Sequence, residues 1–221
     1  MEECYPLHRL LLREKKTFDE ILHTFPHFAS YNGIMINEAF YRMKPHVSRQ
    51  LEFSPVLGRA LLLVSGMFSS IEDSYVRGTL RIFTRLQKKG MKSNQAGPSN
   101  MILAEQILVS PLLQWSQDIE AHVENTRGEP HIVCESSVFG AGKYSIIFNG
   151  VILASSVSFI EVLDIFWKSF VVFGVVVPTK LQMCHDVFSI LVYGTLQQSK
   201  RKSVNELCTN LREAIKAESA Q

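Results

Sequence analysis

Residues 144–170 read YSIIFNGVILASSVSFIEVLDIFWKSF, and their pattern changes from that of strands to that of a helix near Ser158. Tyr144–Phe148 and Val151–Leu153 are β-prone segments, and the Asn149-Gly150 dipeptide between them is typical of a two-residue hairpin turn. Ser158 is a residue type that caps helices, and the apolar residues behind it recur at helical spacing. This region therefore predicts short strands followed by an apolar helix.

The segments on either side extend that unit. His131–Cys134 is also β-prone, and the glycines of Gly140-Ala-Gly142 predict a hairpin that joins it to the strand at Tyr144. Val171–Val177 is a β-branched run that is either a buried strand or the end of the helix, and periodicity leaves both alternatives open. A second apolar helix is predicted from about Lys180 to Leu196.

The first half of the chain has helical patterns throughout. Thr17-Phe-Asp-Glu20 has the form of a capping box. The other predicted helices cover about 34–41, 47–68, 71–89 and 101–124, with an interruption at Pro111. The fold class predicted is α+β and mostly helical, with a helical N-terminal half packed against a C-terminal unit of a small antiparallel hairpin sheet and two apolar helices.

Three regions follow from these patterns. Residues 1–126 form a helical region with a loop at 90–100, and residues 127–198 form the unit of hairpin and helices. Residues 199–221 form a basic linker and an amphipathic tail helix. The alternative is that all three belong to one integrated domain.

Composition limits the class of protein. The chain has 221 residues, 46% hydrophobic residues and a formal net charge of +2, which supplies a core and excludes a wholly disordered chain. The longest charge-free apolar stretch, 144–160, has 17 residues, whereas a membrane span needs about 20. Charged residues near the N-terminus and four distantly spaced cysteines predict reduced thiols in the cytoplasm or nucleus, without membrane association.

Motifs for catalysis and for metal binding are incomplete. Residues 139–145, FGAGKYS, lack the first glycine and the hydroxyl residue of a phosphate-binding loop. The histidine and cysteine pairs lack the spacing of zinc sites; these pairs are His23 with His27, His131 with Cys134, and Cys184 with His185. No catalytic residue, cofactor, metal or small-molecule substrate is predicted. A cysteine hydrolase that pairs Cys134 with His185, or Cys184 with His131, is an alternative without a sequence signal.

A basic arc is the one electrostatic anomaly. Arg77, Arg81, Arg85 and Lys88 lie within an arc of about 80° on the predicted 71–89 helix, opposite its apolar stripe. Like charges at this spacing weaken a helix, so an anionic partner such as nucleic acid is one interpretation. A plain solvated face is the other.

The tail has an amphipathic pattern. Ser203-Val-Asn-Glu206 has the form of a second capping box, and an apolar stripe follows it. We interpret this stripe as a face for a partner helix or a second copy of the chain; its residues are Val204, Leu207, Leu211 and Ile215. The leading hypothesis is therefore a non-enzymatic, intracellular protein-interaction module, and the alternative is a nucleic-acid-associated protein that uses the basic arc.

Five segments together resemble a known group of proteins: Phe25-Pro26 through Phe40, Pro130–Val133, Tyr144–Gly150, Val162–Phe166 and Phe170–Pro178. Their order is similar to that in the C-terminal region of uncharacterised vertebrate proteins, expanded in fish, many of which are described as containing a sterile alpha motif domain. The resemblance implies a non-enzymatic module derived from either a multicopy gene or a mobile-element-associated gene. The chain lacks the sterile alpha motif domain itself, so self-association through such a domain is not implied.

Overall fold

The computed structural model describes residues 4–47, 53–65, 70–87, 111–126, 128–136 and 142–219. Within these ranges the protein is an α+β fold that is mostly helical, as predicted. The helices are α1 Tyr5–Arg13, α2 Phe18–Thr24, α3 His27–Ser30, α4 Ile34–Met43, α5 Phe53–Ser65, α6 Ile71–Gln87, α7 Ile119–Asn125, α8 Phe159–Val172, α9 Gln182–Phe188 and α10 Lys202–Ser219. The strands are β1 Leu113–Trp115, β2 His131–Cys134, β3 Tyr144–Phe148 and β4 Val151–Ser156.

The sheet has the order β1-β2-β3-β4, and its last three strands are antiparallel as predicted. Asn149 and Gly150 have φ values of +48° and +77°, the left-handed conformation that this type of tight turn requires at both central positions. Ile146 pairs with Ile132 on one side and with Ala154 on the other. The hairpin prediction is therefore confirmed in its strands and in their direction.

The first strand corrects the predicted helix over 101–124. Leu113–Trp115 forms β1 and pairs in parallel with β2, so the sheet is mixed and not purely antiparallel. Pro111 prevents a continuous helix, and Leu112 and Leu113 are buried. The helical part is confined to α7, which Asp118 caps through its side chain. Residues 88–110, which include the predicted loop at 90–100, lie outside the described residues, as do residues 137–141 of the predicted Gly140-Ala-Gly142 turn.

Helix α8 lies at the centre of the fold. Eleven of its residues are buried, and it contacts β2, β3 and β4 as well as α4, α5 and α6. Ser158 occupies the N-cap position without a side-chain cap. The acceptor comes instead from α6, where the Glu72 carboxylate accepts the Phe159 N–H at 2.8 Å.

The second apolar helix is shorter and more irregular than predicted. Helix α9 continues directly into a π-helical segment, Ser189–Tyr193, which ends at Gly194 with φ of +61°. The open question over Val171–Val177 is settled in favour of a helix end. Helix α8 stops at Val172, and Val175 donates its N–H to the Phe170 carbonyl at 2.9 Å.

One apolar core includes all three predicted regions. Phe40, Phe166 and Leu207, one residue from each region, belong to the same buried cluster.

The Thr17 capping box of α2 is confirmed, with both reciprocal bonds present. Across the described ranges, no helix combines the length and the apolar composition that are needed to cross a bilayer.

Candidate functional site

A groove runs along α9 and the irregular segment 194–201 that leads to α10. Its inner part, between α8, α9 and the π-helical segment, has a volume of about 280 Å³. Its outer part, beside residues 198–201, has a volume of about 500 Å³. The two parts share Gln182, Asp186 and Leu196 as lining residues, and we call them together the α9 groove.

Two side chains in the wall of the inner α9 groove each have a buried polar atom without a partner. Trp167 is 1% exposed and lines the groove, and its Nε1 has no hydrogen-bond partner among the described residues. The same is true of Nδ1 of His185, whose ring centroid lies 5.7 Å from that of Trp167. An unsatisfied buried polar group costs about 1–3 kcal/mol. Because an indole N–H only donates, an acceptor that reached the Trp167 Nε1 would remove this cost.

Positive charge surrounds the groove. Lys44 lines its inner part, and Lys200 and Arg201 line its outer part. The acidic lining residue Asp186 already accepts hydrogen bonds from Gln182, at 2.9 Å, and from the Ser199 hydroxyl. Burial lowers the pKa of His185, with Asp186 opposing, so the imidazole is neutral near pH 7. The rim therefore carries three formal positive charges against one negative charge that hydrogen bonds already stabilise.

A buried ion pair supports the wall of the groove. Tyr193, at the end of the π-helical segment, lines the inner part and donates its hydroxyl to Oδ1 of Asp164 at 2.7 Å. Lys168 Nζ lies 2.6 Å from the other carboxylate oxygen and 2.9 Å from Oδ1 of Asn37 on α4. Burial raises the pKa of Asp164, with Lys168 opposing, and raises the pKa of Tyr193 far above its ordinary value. These bonds connect α4, α8 and the π-helical segment.

Two residues of the basic arc form bonds within the chain. Arg77 donates to Asp73 at 2.8 Å. Arg81 donates through Nη1 to the carbonyl oxygens of Val64 and Ser65, at 3.1 and 2.9 Å, and so caps the C-terminal end of α5. The side chain of Arg85 and all of Lys88 lie outside the described residues. Two of the four predicted anion contacts therefore already stabilise the fold.

The structure corrects the interpretation of the tail stripe as an open docking face. Val204, Leu207 and Leu211 are 0%, 3% and 5% exposed, and Ile215 packs against the same core. Helix α10 contacts α5, α9 and the π-helical segment. The apolar spacing therefore reflects packing within the chain.

The predicted second capping box is wrong as well. Helix α10 already begins at Lys202, before Ser203. The turn ahead of it is held by Asn205, whose side chain accepts from the Ser199 N–H at 2.8 Å and donates to the Ser199 carbonyl at 2.9 Å.

The three buried cysteines lie in environments that oppose nucleophilic chemistry. Cys134 and Cys184 are each 1% exposed, and burial raises the pKa of both thiols. Burial also raises the pKa of Cys208, to about 11. A nucleophilic cysteine needs a lowered pKa, so this finding opposes the hydrolase alternative. In the described part of the chain, no group of three or more His, Cys, Asp or Glu residues is arranged around a common metal position.

Comparisons of the chain with protein families, with curated proteins and with solved structures found no match. The resemblance to proteins with a sterile alpha motif domain therefore stays a prediction. Sequence reasoning missed the α9 groove because its residues come from separate segments. Trp167 and His185, for example, are 18 positions apart, and each has the spacing of an ordinary core residue.

Proposed function

We propose that the protein is a non-catalytic protein-interaction module of the cytoplasm or nucleus, and that it binds an acidic, partly apolar peptide segment in the α9 groove. The observation that carries the proposal is the buried, unpartnered indole N–H of Trp167 in the wall of a groove with a basic rim. A groove with apolar walls and a few convergent polar groups is the usual form of a binding site.

An extended peptide meets each requirement of the groove. Its backbone carbonyl oxygens are acceptors for the Trp167 indole N–H. An apolar side chain of the peptide finds Phe40, Val171 and Leu196 in the inner part. Carboxylates at neighbouring positions are complementary to Lys200 and Arg201, which line the outer part.

The other two hypotheses have less support. A cysteine hydrolase requires a reactive thiol, whereas burial raises the pKa of Cys134 and Cys184. Nucleic-acid binding through the basic arc requires side chains that face a phosphate backbone, whereas Arg77 and Arg81 bond within the chain. In the α9 groove, by contrast, the positive charge of the rim and the unpartnered indole donor of Trp167 both favour a ligand.

The test uses fluorescein-labelled nine-residue peptides of Glu, Leu and Phe, with matched peptides in which Lys replaces Glu. Fluorescence anisotropy at low salt should show binding of the acidic peptides only. Reversal of charge at the rim, Lys200→Glu with Arg201→Glu, should weaken binding at least about tenfold. Lys216→Glu is the matched control, because Lys216 is an exposed basic residue on α10 that does not line the groove.

The indole signals provide a second measurement that does not depend on variants. The chain has two tryptophans, so the Trp167 N–H signal in a ¹H–¹⁵N spectrum should move on peptide addition, with Trp115 as the internal reference. Equal binding of acidic and basic peptides would overturn the proposal, as would an unmoved Trp167 signal at saturation. Binding of oligonucleotides in place of peptides, lost on Lys88→Glu, would favour the nucleic-acid alternative.

A further inference from the structure

Two histidines meet at the side of the sheet, away from the α9 groove. His122 on α7 and His131 on β2 place their Nε2 atoms 3.0 Å apart. The two ring planes are inclined by 62°. His131 is 3% exposed, and His122 is half-buried, so the pair lies at the boundary between the core and solvent.

The hydrogen bond at the far side of His131 fixes its tautomer. Its Nδ1 lies 3.1 Å from the carbonyl oxygen of Glu129, and a carbonyl oxygen only accepts. Nδ1 therefore carries the proton, and in the neutral ring Nε2 presents a bare lone pair towards His122. Metal-binding histidines have this arrangement, in which one nitrogen donates to a carbonyl and the other binds the metal.

In the metal-free protein the contact between the two rings is a hydrogen bond. Because Nε2 of His131 carries no proton, it accepts the Nε2–H of His122 at 3.0 Å. Metal binding requires the other neutral tautomer of His122, with the proton on Nδ1, so that both Nε2 lone pairs face a shared position.

The distance between the two nitrogens suits a shared metal ion. With metal–nitrogen bonds of about 2.0–2.1 Å, two neighbouring ligand nitrogens lie about 2.9 Å apart at a right angle and about 3.3 Å apart at a tetrahedral angle. The observed 3.0 Å falls between these values. We propose that His122 and His131 bind one divalent transition-metal ion, such as Zn²⁺, Ni²⁺ or Cu²⁺, through their Nε2 atoms.

The site has two protein ligands. Among the described residues no third His, Cys, Asp or Glu joins them in a common metal position, so water completes the coordination. Imidazole ligands favour Cu²⁺ over Ni²⁺ and Zn²⁺ in the usual order of affinity. The metal would link α7, which has no buried residue, to β2, so its binding should protect α7 from hydrogen exchange.

The test measures the binding of Cu²⁺ and Zn²⁺ to the full chain by calorimetry, in a Cys4→Ser background that removes the exposed thiol. We expect one ion per chain, and a Cu²⁺ electron paramagnetic resonance spectrum with coupling to two imidazole nitrogens. His122→Asn should weaken binding at least about tenfold. His23→Asn is the matched control, because His23 is an exposed histidine on α2.

A further measurement keeps the proposal falsifiable should the His122→Asn variant fail to fold. In the unsubstituted protein, Zn²⁺ should slow amide exchange in Ile119–Asn125 and leave α2 unchanged. Unchanged exchange in α7 at saturating Zn²⁺ would overturn the proposal. So would affinity that is equal in the His122→Asn and His23→Asn variants, or an absence of binding at millimolar metal.

Discussion

Replacement of Lys168 by methionine tests the buried ion pair directly. Lys168 has a side-chain exposure of 2%, and its ammonium bonds to Asp164 at 2.6 Å and to Asn37 at 2.9 Å. Lys168→Met keeps much of the side-chain volume and removes the charge. The Asp164 carboxylate, whose side chain is 15% exposed, then keeps only the Tyr193 hydroxyl as its charge-stabilising donor among the bonds described above.

The expected loss of stability in Lys168→Met is large because the uncompensated charge of Asp164 stays in the core. Removal of one partner of a buried ion pair costs about 3–5 kcal/mol, which is a substantial part of the stability of an ordinary domain. The double variant Asp164→Asn with Lys168→Met removes both charges and keeps an acceptor for Tyr193. It should therefore be more stable than Lys168→Met alone.

The pH dependence separates this explanation from simple loss of packing. Burial raises the pKa of Asp164 above its ordinary value, and removal of Lys168 raises that pKa further. Folding that raises a pKa favours the protonated form of the group. Its contribution to the free energy of unfolding is therefore fully present below the unfolded pKa and is lost as the pH rises through the folded pKa. The loss of stability in Lys168→Met, relative to the original protein, should therefore be largest near pH 7 and shrink towards about pH 4.

Urea unfolding monitored by circular dichroism at several pH values measures these differences. Lys16→Met is the matched control, because Lys16 forms an exposed pair with Glu20 at the same i, i+4 spacing, at 2.9 Å. Such exposed pairs contribute little to stability, so the free energy of unfolding of the control should be close to that of the original protein. A deficit for Lys168→Met that is small, or that is independent of pH, would refute the reasoning.

Three further predictions concern helix ends, helix packing and thiols. Glu72→Ala removes the acceptor of the Phe159 N–H and should lower the free energy of unfolding by about 0.5–2 kcal/mol. Glu72→Gln keeps an acceptor oxygen and should lower it less, so equal losses of the two variants in urea unfolding would contradict this prediction. Gly78→Ala would place a Cβ 2.5 Å from the carbonyl oxygen of Leu61. Although alanine favours helices, this variant should therefore lower the free energy of unfolding by about 1–3 kcal/mol, and a more stable variant would show that α5 and α6 are not so close. Iodoacetamide should modify exposed Cys4 rapidly in the folded protein and the three buried cysteines only after unfolding, as mass spectrometry can measure; rapid modification of a second thiol would be inconsistent with the burial described.

Local patterns predicted the parts of the fold that depend on neighbours in the chain. The hairpin turn at Asn149-Gly150 follows from the backbone conformation that these residues accept, and the Thr17 capping box follows from residues three positions apart. The apolar helix behind Ser158 follows from its spacing. In each case the interacting groups lie within a few residues, so the sequence contains the signal.

The features that the patterns missed join distant segments. Strand β1 exists because Leu113–Trp115 pairs with β2, and a segment of three residues has too little pattern of its own to predict a strand. The acceptor for α8 is Glu72, which lies 87 positions from Phe159. The tail stripe has the spacing of any amphipathic helix, and spacing alone does not distinguish a partner in the same chain from a partner in another. These outcomes depend on tertiary contacts.

The buried ion pair has a structural consequence that stability alone does not explain. Apolar residues of similar volume often stabilise a core as well as a buried ion pair does, so Lys168 and Asp164 are not required for a stable core. Their bonds differ from apolar contacts in being directional: Asp164 fixes the Tyr193 hydroxyl, and Lys168 fixes Asn37. Tyr193 ends the π-helical segment, where the hydrogen bonds of a regular α-helix no longer determine the position of the chain. The ion pair therefore determines where this wall of the α9 groove lies relative to Trp167, and so connects the polar core to the shape of the proposed binding site.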